Sequence, residues 1–231
     1  MRSPIPVTVA LLLLLVSAPM QVAWGRDAFQ DLPVPADTQD RMRDLFQGQA
    51  AYESGDYERA LQKLRPLAEQ GVATAQYVLG IIYDRGVGGV DQSFAEASKW
   101  YLKAAQQDHA AAQYALASLY WGGFGGKRDP AEALKWQTKS AALGHPEAQY
   151  DLGKRYLRGG QVVEKDYKQA LKWFKRAATT GSYGHKLAQH DLGEMYAHGV
   201  GVKQDYAEAR KWYEWAAKQG HVSSNRITSR R

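Results

Sequence analysis

The chain has 231 residues, 30 Lys and Arg against 24 Asp and Glu, a formal charge of +6, and no cysteine. Disulfides and attachment through a lipidated cysteine are thereby excluded, so packing alone must hold the fold. The length is well above the size at which a hydrophobic core becomes marginal.

In chain order, Met1 to Gly25 reads as a secretory signal peptide. Arg2 gives a thin positive start, Val7 to Val16 form an apolar run of ten residues, and Ala23-Trp24-Gly25 offers small residues for cleavage near Gly25. Ten residues are too few to span a bilayer, which takes about 20. An uncleaved anchor is the competing reading. No later segment is apolar enough to cross a membrane, so the mature chain is expected in the periplasm or secreted, with charge +5 once Arg2 is removed. Residues 26–37, with Pro33 and Pro35, read as an extended lead-in.

Residues 38–71 predict a degenerate hairpin. Ala50-Ala51-Tyr52 precedes Gly55-Asp56-Tyr57-Glu58-Arg59-Ala60-Leu61, and Lys63 stands where later copies carry tryptophan. A terminal repeat is expected to be atypical, because one of its faces meets water.

Four similar stretches then begin at Ala75, Ala112, Ala148 and Ala188, spaced 37, 36 and 40 residues apart. Trp100, Trp136, Trp173 and Trp212 keep nearly the same interval, and a period in this range signals a repeat architecture. Within the first copy Ala75, Leu79 and Tyr83 share one helical face, and Gly86 and Gly88 stop that helix. Ser93, Asp129, Asp166 and Asp205 are candidate N-caps for a second helix, and Pro130 suits its first position. Ala97, Trp100, Tyr101 and Ala104 form the buried stripe of that second helix. Gly144, Gly181 and Gly220 close three copies, and Asp108 closes another less comfortably. Each copy is a helical hairpin whose apolar side needs a neighbouring hairpin.

These residues resemble the Sel-one-like repeat (SLR) family, which is related to the tetratricopeptide repeats. Ala188, Leu192, Gly193, Tyr196, Gly199, Gly201, Val202, Asp205, Ala209, Trp212, Tyr213, Ala216, Ala217 and Gly220 follow its pattern almost position for position. The resemblance spans residues 72–221 and implies an all-α, right-handed α/α solenoid of about five helix-turn-helix repeats, counting the cap at 38–71. Ala117 departs from the pattern in place of a helix glycine, Gln137 in place of an aromatic, and Val162 in place of a loop glycine. These three put loop shape and local packing in question.

Two segments lie outside the regular unit. The joint at Gly181–Lys186 is about three residues longer than the others, either a contact loop or a harmless insertion. After His221, residues 222–231 read as a flexible basic tail.

Much of the positive charge falls on the second helices, for example Lys99, Lys135, Lys172 and Lys211. Three-apart pairs such as Glu96 and Lys99 mark a solvated face, although an acidic partner or membrane surface stays open. An export signal argues against nucleic acid.

No serine-nucleophile elbow, zinc helix or phosphate loop occurs in the sequence. Some members of the SLR family have been assigned penicillin binding or β-lactamase activity, which uses a serine with lysine three residues later. No serine here has that lysine, so neither an enzyme nor a cofactor is expected. His190, Glu194 and His198 share a helical face, but the outer two lie about 12 Å apart along the axis. Metal is therefore not assigned to them. His109, His145 and His221, just past the closing positions, read as joint residues.

What remains is surface. The face of each first helix opposite its core carries Tyr77, Ile81 and Asp84, then Tyr114, Ser118 and Trp121, then Tyr150, Lys154 and Leu157, then His190, Glu194 and Ala197. In the SLR family the first helices line the concave side, where partners dock. Tyrosines, a tryptophan and mixed charges suit a protein interface, and Trp121 is the leading anchor candidate. An alternative in which Tyr77, Tyr114 and Tyr150 pack between hairpins stays open.

The resemblance implies an adaptor or scaffold in a bacterial envelope assembly, bound to an unidentified protein. Its alternatives are an immunity protein that neutralises a secreted toxin such as a phospholipase, and, from another class, a cell-wall or β-lactam hydrolase.

Overall fold

A computed structural model describes residues 36–181 and 184–221. The signal-peptide reading, most of the lead-in and the basic tail lie outside the described residues. Ten α-helices are found among these residues, in five hairpins. They are α1 (Ala36–Glu53) with α2 (Tyr57–Glu69), α3 (Ala73–Arg85) with α4 (Phe94–Ala105), α5 (Ala110–Gly122) with α6 (Pro130–Ala142), α7 (Pro146–Arg158) with α8 (Tyr167–Thr179), and α9 (Lys186–His198) with α10 (Tyr206–Lys218). The architecture is an all-α solenoid in which each helix packs chiefly on its neighbours in sequence. No described helix is long and apolar enough to cross a membrane.

The expected start signals act as written. Ser93 Oγ accepts the Glu96 amide at 3.2 Å, and Asp205 Oδ1 accepts that of Glu208 at 3.0 Å. Asp129 and Asp166 each accept two amides, and Pro130 opens α6. Gly86 ends α3 in the left-handed conformation, with φ 65°, and its N–H donates to the Ile82 carbonyl. The closing positions Gly144, Gly181 and Gly220 also have positive φ. Asp108 adopts φ 58°, the only described residue other than glycine with positive φ.

The core runs through the stack as successive apolar clusters. Ala75, Leu79 and Ile82 of α3 pack with Ala60, Leu64 and Leu67 of α2. Ala97, Tyr101 and Ala104 of α4 pack with Ala112, Leu116 and Leu119 of α5. Each first helix is thus covered by the preceding hairpin as well as its own, which is why the apolar stripe is wider than one hairpin needs.

The segment before the four repeats differs slightly from expectation. Helix α1 begins at Ala36, so Ala36 and Asp37 are helical where the lead-in was expected to continue. Lys63, at the tryptophan position, instead pairs with Asp44 at 2.9 Å.

Candidate functional site

Every first helix of the four repeats presents the expected residues at matching positions, but most of them also contact the next hairpin. Tyr77 is half-buried, with its ring 5.9 Å from Tyr101 and 4.7 Å from His109. Tyr114 stacks on His145 at 4.8 Å and donates its hydroxyl to Asp151 Oδ2 at 2.9 Å. Tyr150 stacks on His185 at 4.6 Å. In the last repeat His190 stands in the tyrosine position, 4.4 Å from the His221 ring. The result is a ladder of aromatic rings, one rung per joint. Burial, with Asp151 and Asp191 nearby, pushes the Tyr114 and Tyr150 hydroxyls well above the usual tyrosine range, so they remain donors.

The remaining expected residues fall between these rungs. Ile81 and Leu157 are half-buried against neighbouring cores. Asp84 Oδ2 accepts the Tyr101 hydroxyl at 3.2 Å, and Glu194 Oε1 accepts that of Tyr213 at 2.7 Å. Lys154 Nζ lies 3.6 Å from Asp191 and 5.7 Å from the centre of the Tyr150 ring. Ser118 is exposed, its hydroxyl donating to the Tyr114 carbonyl. Glu194 also lies 3.3 Å from His198 Nε2.

Trp121 is half-buried and held from two sides. Its Nε1–H donates to Gln137 Oε1 at 3.2 Å, and the Arg155 guanidinium lies 3.4 Å from the centre of its ring. Arg155 Nε donates to the same Gln137 oxygen at 2.8 Å, so one buried amide joins the two. Arg128 Nε donates to the Trp121 carbonyl at 3.0 Å. Burial pulls the Arg155 guanidinium below its usual value, opposed by Asp151 and Tyr114, and it stays charged.

Two recurring features went unread in the sequence. Gln76, Gln113, Gln149 and Gln189 are buried and donate Nε2–H to the carbonyls of Ala68, Ala105, Ala141 and Ala178, at 3.0 to 3.1 Å. Each ties a first helix to the end of the preceding second helix. The signal was present, because an Ala-Gln pair opens all four copies. The second feature is a histidine cap. Nδ1 of His109, His145 and His185 accepts the amide of Ala112, Ala148 and Ala188, at 3.2, 3.4 and 3.3 Å. An accepting Nδ1 places the proton on Nε2 and keeps the ring neutral. Burial pulls all three rings below the ordinary histidine value, and at His145 it outweighs Glu147 3.3 Å away.

A stack of capped α-hairpins with glutamine ties and an aromatic rung at each joint defines a helical repeat solenoid. Sel1 repeat, the matching family, aligns with residues 73–109, 110–145, 146–182 and 186–221, four units that each begin at the first residue of a first helix. The chain belongs to the Sel1 repeat family. It is 34% identical to a Sel1 repeat protein from Oxalobacter formigenes, with TM-score 0.72, covering 80% of this chain and 72% of that one. It is 30% identical, with TM-score 0.74, to a protective antigen with an SLR fold from uropathogenic Escherichia coli, covering 84% of this chain and 41% of that one. An immunity protein from Pseudomonas aeruginosa shares the fold at 22% identity and TM-score 0.52, covering 84% of this chain and 70% of that one. No curated protein sequence matches the chain.

Proposed function

We propose that this protein is an exported, periplasmic binding module that serves as adaptor or scaffold in a bacterial envelope assembly. Its partner docks along the face formed by α3, α5, α7 and α9. Sel1 repeats form protein-interaction modules, and the particular partner is argued from the surface.

The supporting observation is the ring ladder with its polar neighbours. Tyr77, Tyr114, Tyr150 and His190 recur one hairpin apart, partly exposed, each braced by a ring from the following joint. Side chains already fixed by neighbours lose little freedom on binding, so contacts to them yield more net affinity. Aromatic bodies with polar tips suit a surface that is part dry and part wet. Export rests on the Met1–Gly25 pattern.

The test is capture from bacterial envelope extract with crosslinking, comparing the mature protein with Ser118→Arg and Trp121→Ala. Ser118→Arg alters an exposed position without removing core volume, so its loss of capture reports the surface rather than the fold. Recovery of several envelope components, lost in Ser118→Arg, supports the scaffold. A single toxin recovered in one-to-one ratio with the protein, and lost in Ser118→Arg, would instead mean immunity by capture. Equal recovery with both variants would contradict docking on this face.

A further inference from the structure

Four departures from the repeat fall close together, in α5, α6 and the first helix of the next hairpin, α7. The helix glycine of Gly80, Gly153 and Gly193 becomes Ala117, and the aromatic of Tyr101, Phe174 and Tyr213 becomes Gln137. Trp121 stands where the other copies carry Asp84, Leu157 and Ala197. Arg155 stands where they carry Ile82, Leu119 and Met195, which are 0, 6 and 2% exposed. Arg155 therefore puts a charge in a place that is otherwise core.

The substitutions are mutually adapted. Gln137 Oε1 accepts from both Trp121 Nε1 and Arg155 Nε, and the guanidinium lies against the indole face. A stacked guanidinium anchored through Nε keeps its terminal nitrogens for a planar, two-oxygen partner. Arg128 is anchored in the same manner, through Nε to the Trp121 carbonyl. In other copies Gln92 and Gln204 make that loop clasp to the Asp84 and Ala197 carbonyls, without adding a charge. Neither arginine has an ion-pair partner among the described residues. Asp151 acts on Arg155 only at longer range, and its Oδ2 is taken by Tyr114.

A cavity of about 300 Å³ opens beside both arginines, lined also by Trp121, Pro130 and the 159–163 loop, with no acidic side chain in its wall. That loop is the one in which Val162 replaces the usual glycine, and Val163 is buried beneath it. A polar network in an otherwise apolar register costs stability, and such local breaks concentrate where function demands them.

We propose that this pocket binds a carboxylate of the partner protein, held by the Arg155 and Arg128 guanidiniums against the Trp121 indole. The proposal deepens the docking reading above and rests on it. Charge complementarity selects the ligand: two cations without counterions, Arg155 half-buried against the aromatic wall and Arg128 exposed at the rim, attract a planar anion.

The experiment follows the Trp121 indole N–H by NMR, with calorimetry in parallel, while an acetylated tetraglutamate peptide is added to the mature protein. Tetraglutamine and inorganic phosphate serve as comparison ligands. Arg155→Met and Arg128→Gln restore residue types found in other copies at Met195 and Gln204, so both variants keep the fold, which a thermal melt verifies. A saturable shift with tetraglutamate is expected, none with tetraglutamine, and about tenfold weaker affinity in either variant, the loss of one charge-assisted hydrogen bond. Arg155→Lys is expected to weaken binding as well, because lysine lacks the planar fork. The absence of a saturable shift, or unchanged affinity in folded Arg155→Met, overturns the carboxylate site. Phosphate binding more tightly than tetraglutamate overturns it in favour of a phosphorylated ligand. Envelope capture that persists while the peptide fails removes only this pocket. Peptide binding without capture removes only the docking reading.

Discussion

A Cβ placed on Gly153 would stand 2.6 Å from Cδ1 of the Phe174 ring, closer than packed atoms come. The same relationship joins Gly80 to Tyr101 and Gly193 to Tyr213, both at 2.5 Å, and Gly48 to the Leu64 side chain in the first hairpin. Where the aromatic is replaced by Gln137, the glycine is replaced by Ala117. Glycine in these helices is thus a space for the facing ring.

The first prediction follows from that space. Gly→Ala inside a helix ordinarily stabilises by about 0.5–1 kcal/mol, but forcing a methyl into a filled core costs about 1–3 kcal/mol. Phe174 is fully buried and has nowhere to turn. Gly153→Ala is therefore expected to lower stability by about 1–2 kcal/mol, read as a shift in the urea midpoint at unchanged slope. A gain would mean that the ring has room.

Asp108 points the other way. Its left-handed backbone carries a cost of about 1–2 kcal/mol that glycine lacks. Asp108 Oδ1 receives only a long contact, 3.4 Å, from Gln113 Nε2. Asp108→Gly is expected to raise stability by about 1 kcal/mol, against the usual direction for a glycine substitution. Calorimetric melting of the two proteins decides it.

The glutamine ties give a third expectation. Gln149→Leu removes one donor from the Ala141 carbonyl, which keeps the Gly144 N–H at 3.1 Å, and removes an acceptor from Thr180 Oγ1. Losing such a hydrogen bond while the carbonyl keeps another costs about 0.5–1.5 kcal/mol. Faster hydrogen exchange is expected at the ends of α6 and α8, where the tie acts, and not in α1.

The histidine caps make the joints sensitive to acid. In the folded chain burial lowers the affinity of His109, His145 and His185 for protons, and Nδ1 already accepts an amide. The unfolded chain then binds more protons, so stability rises with pH. This contribution is complete above the ordinary histidine value of about 6.5 and is lost as pH falls below it. Replacing all three with asparagine, which caps without titrating, is expected to flatten the melting temperature between about pH 6.5 and 5. An unchanged slope would assign acid sensitivity to other groups.

Most of the architecture was legible because a helical repeat writes each contact several times. Four copies of one spacing located the hairpins, the second-helix caps and the closing glycines, and even the strained Asp108 stood out against its counterparts. The site was less legible, for a physical reason. The surface positions were read by subtracting the core face from each helix, but in a solenoid a second neighbour packs on part of that surface. Tyr114 and Tyr150 therefore touch the next joint, and Trp121 lies under Arg155. The histidine caps escaped notice because histidine is an uncommon cap, visible only when its ring nitrogen is placed against the amide.

The most direct test of docking along the first helices is site-specific photocrosslinking in living cells. A benzophenone residue is placed at exposed Ser118, between the rungs, and separately at Lys99 on the solvated side of α4. The account predicts a discrete adduct from position 118 and none from position 99. An adduct from position 99 alone would contradict it and move the partner to the second helices.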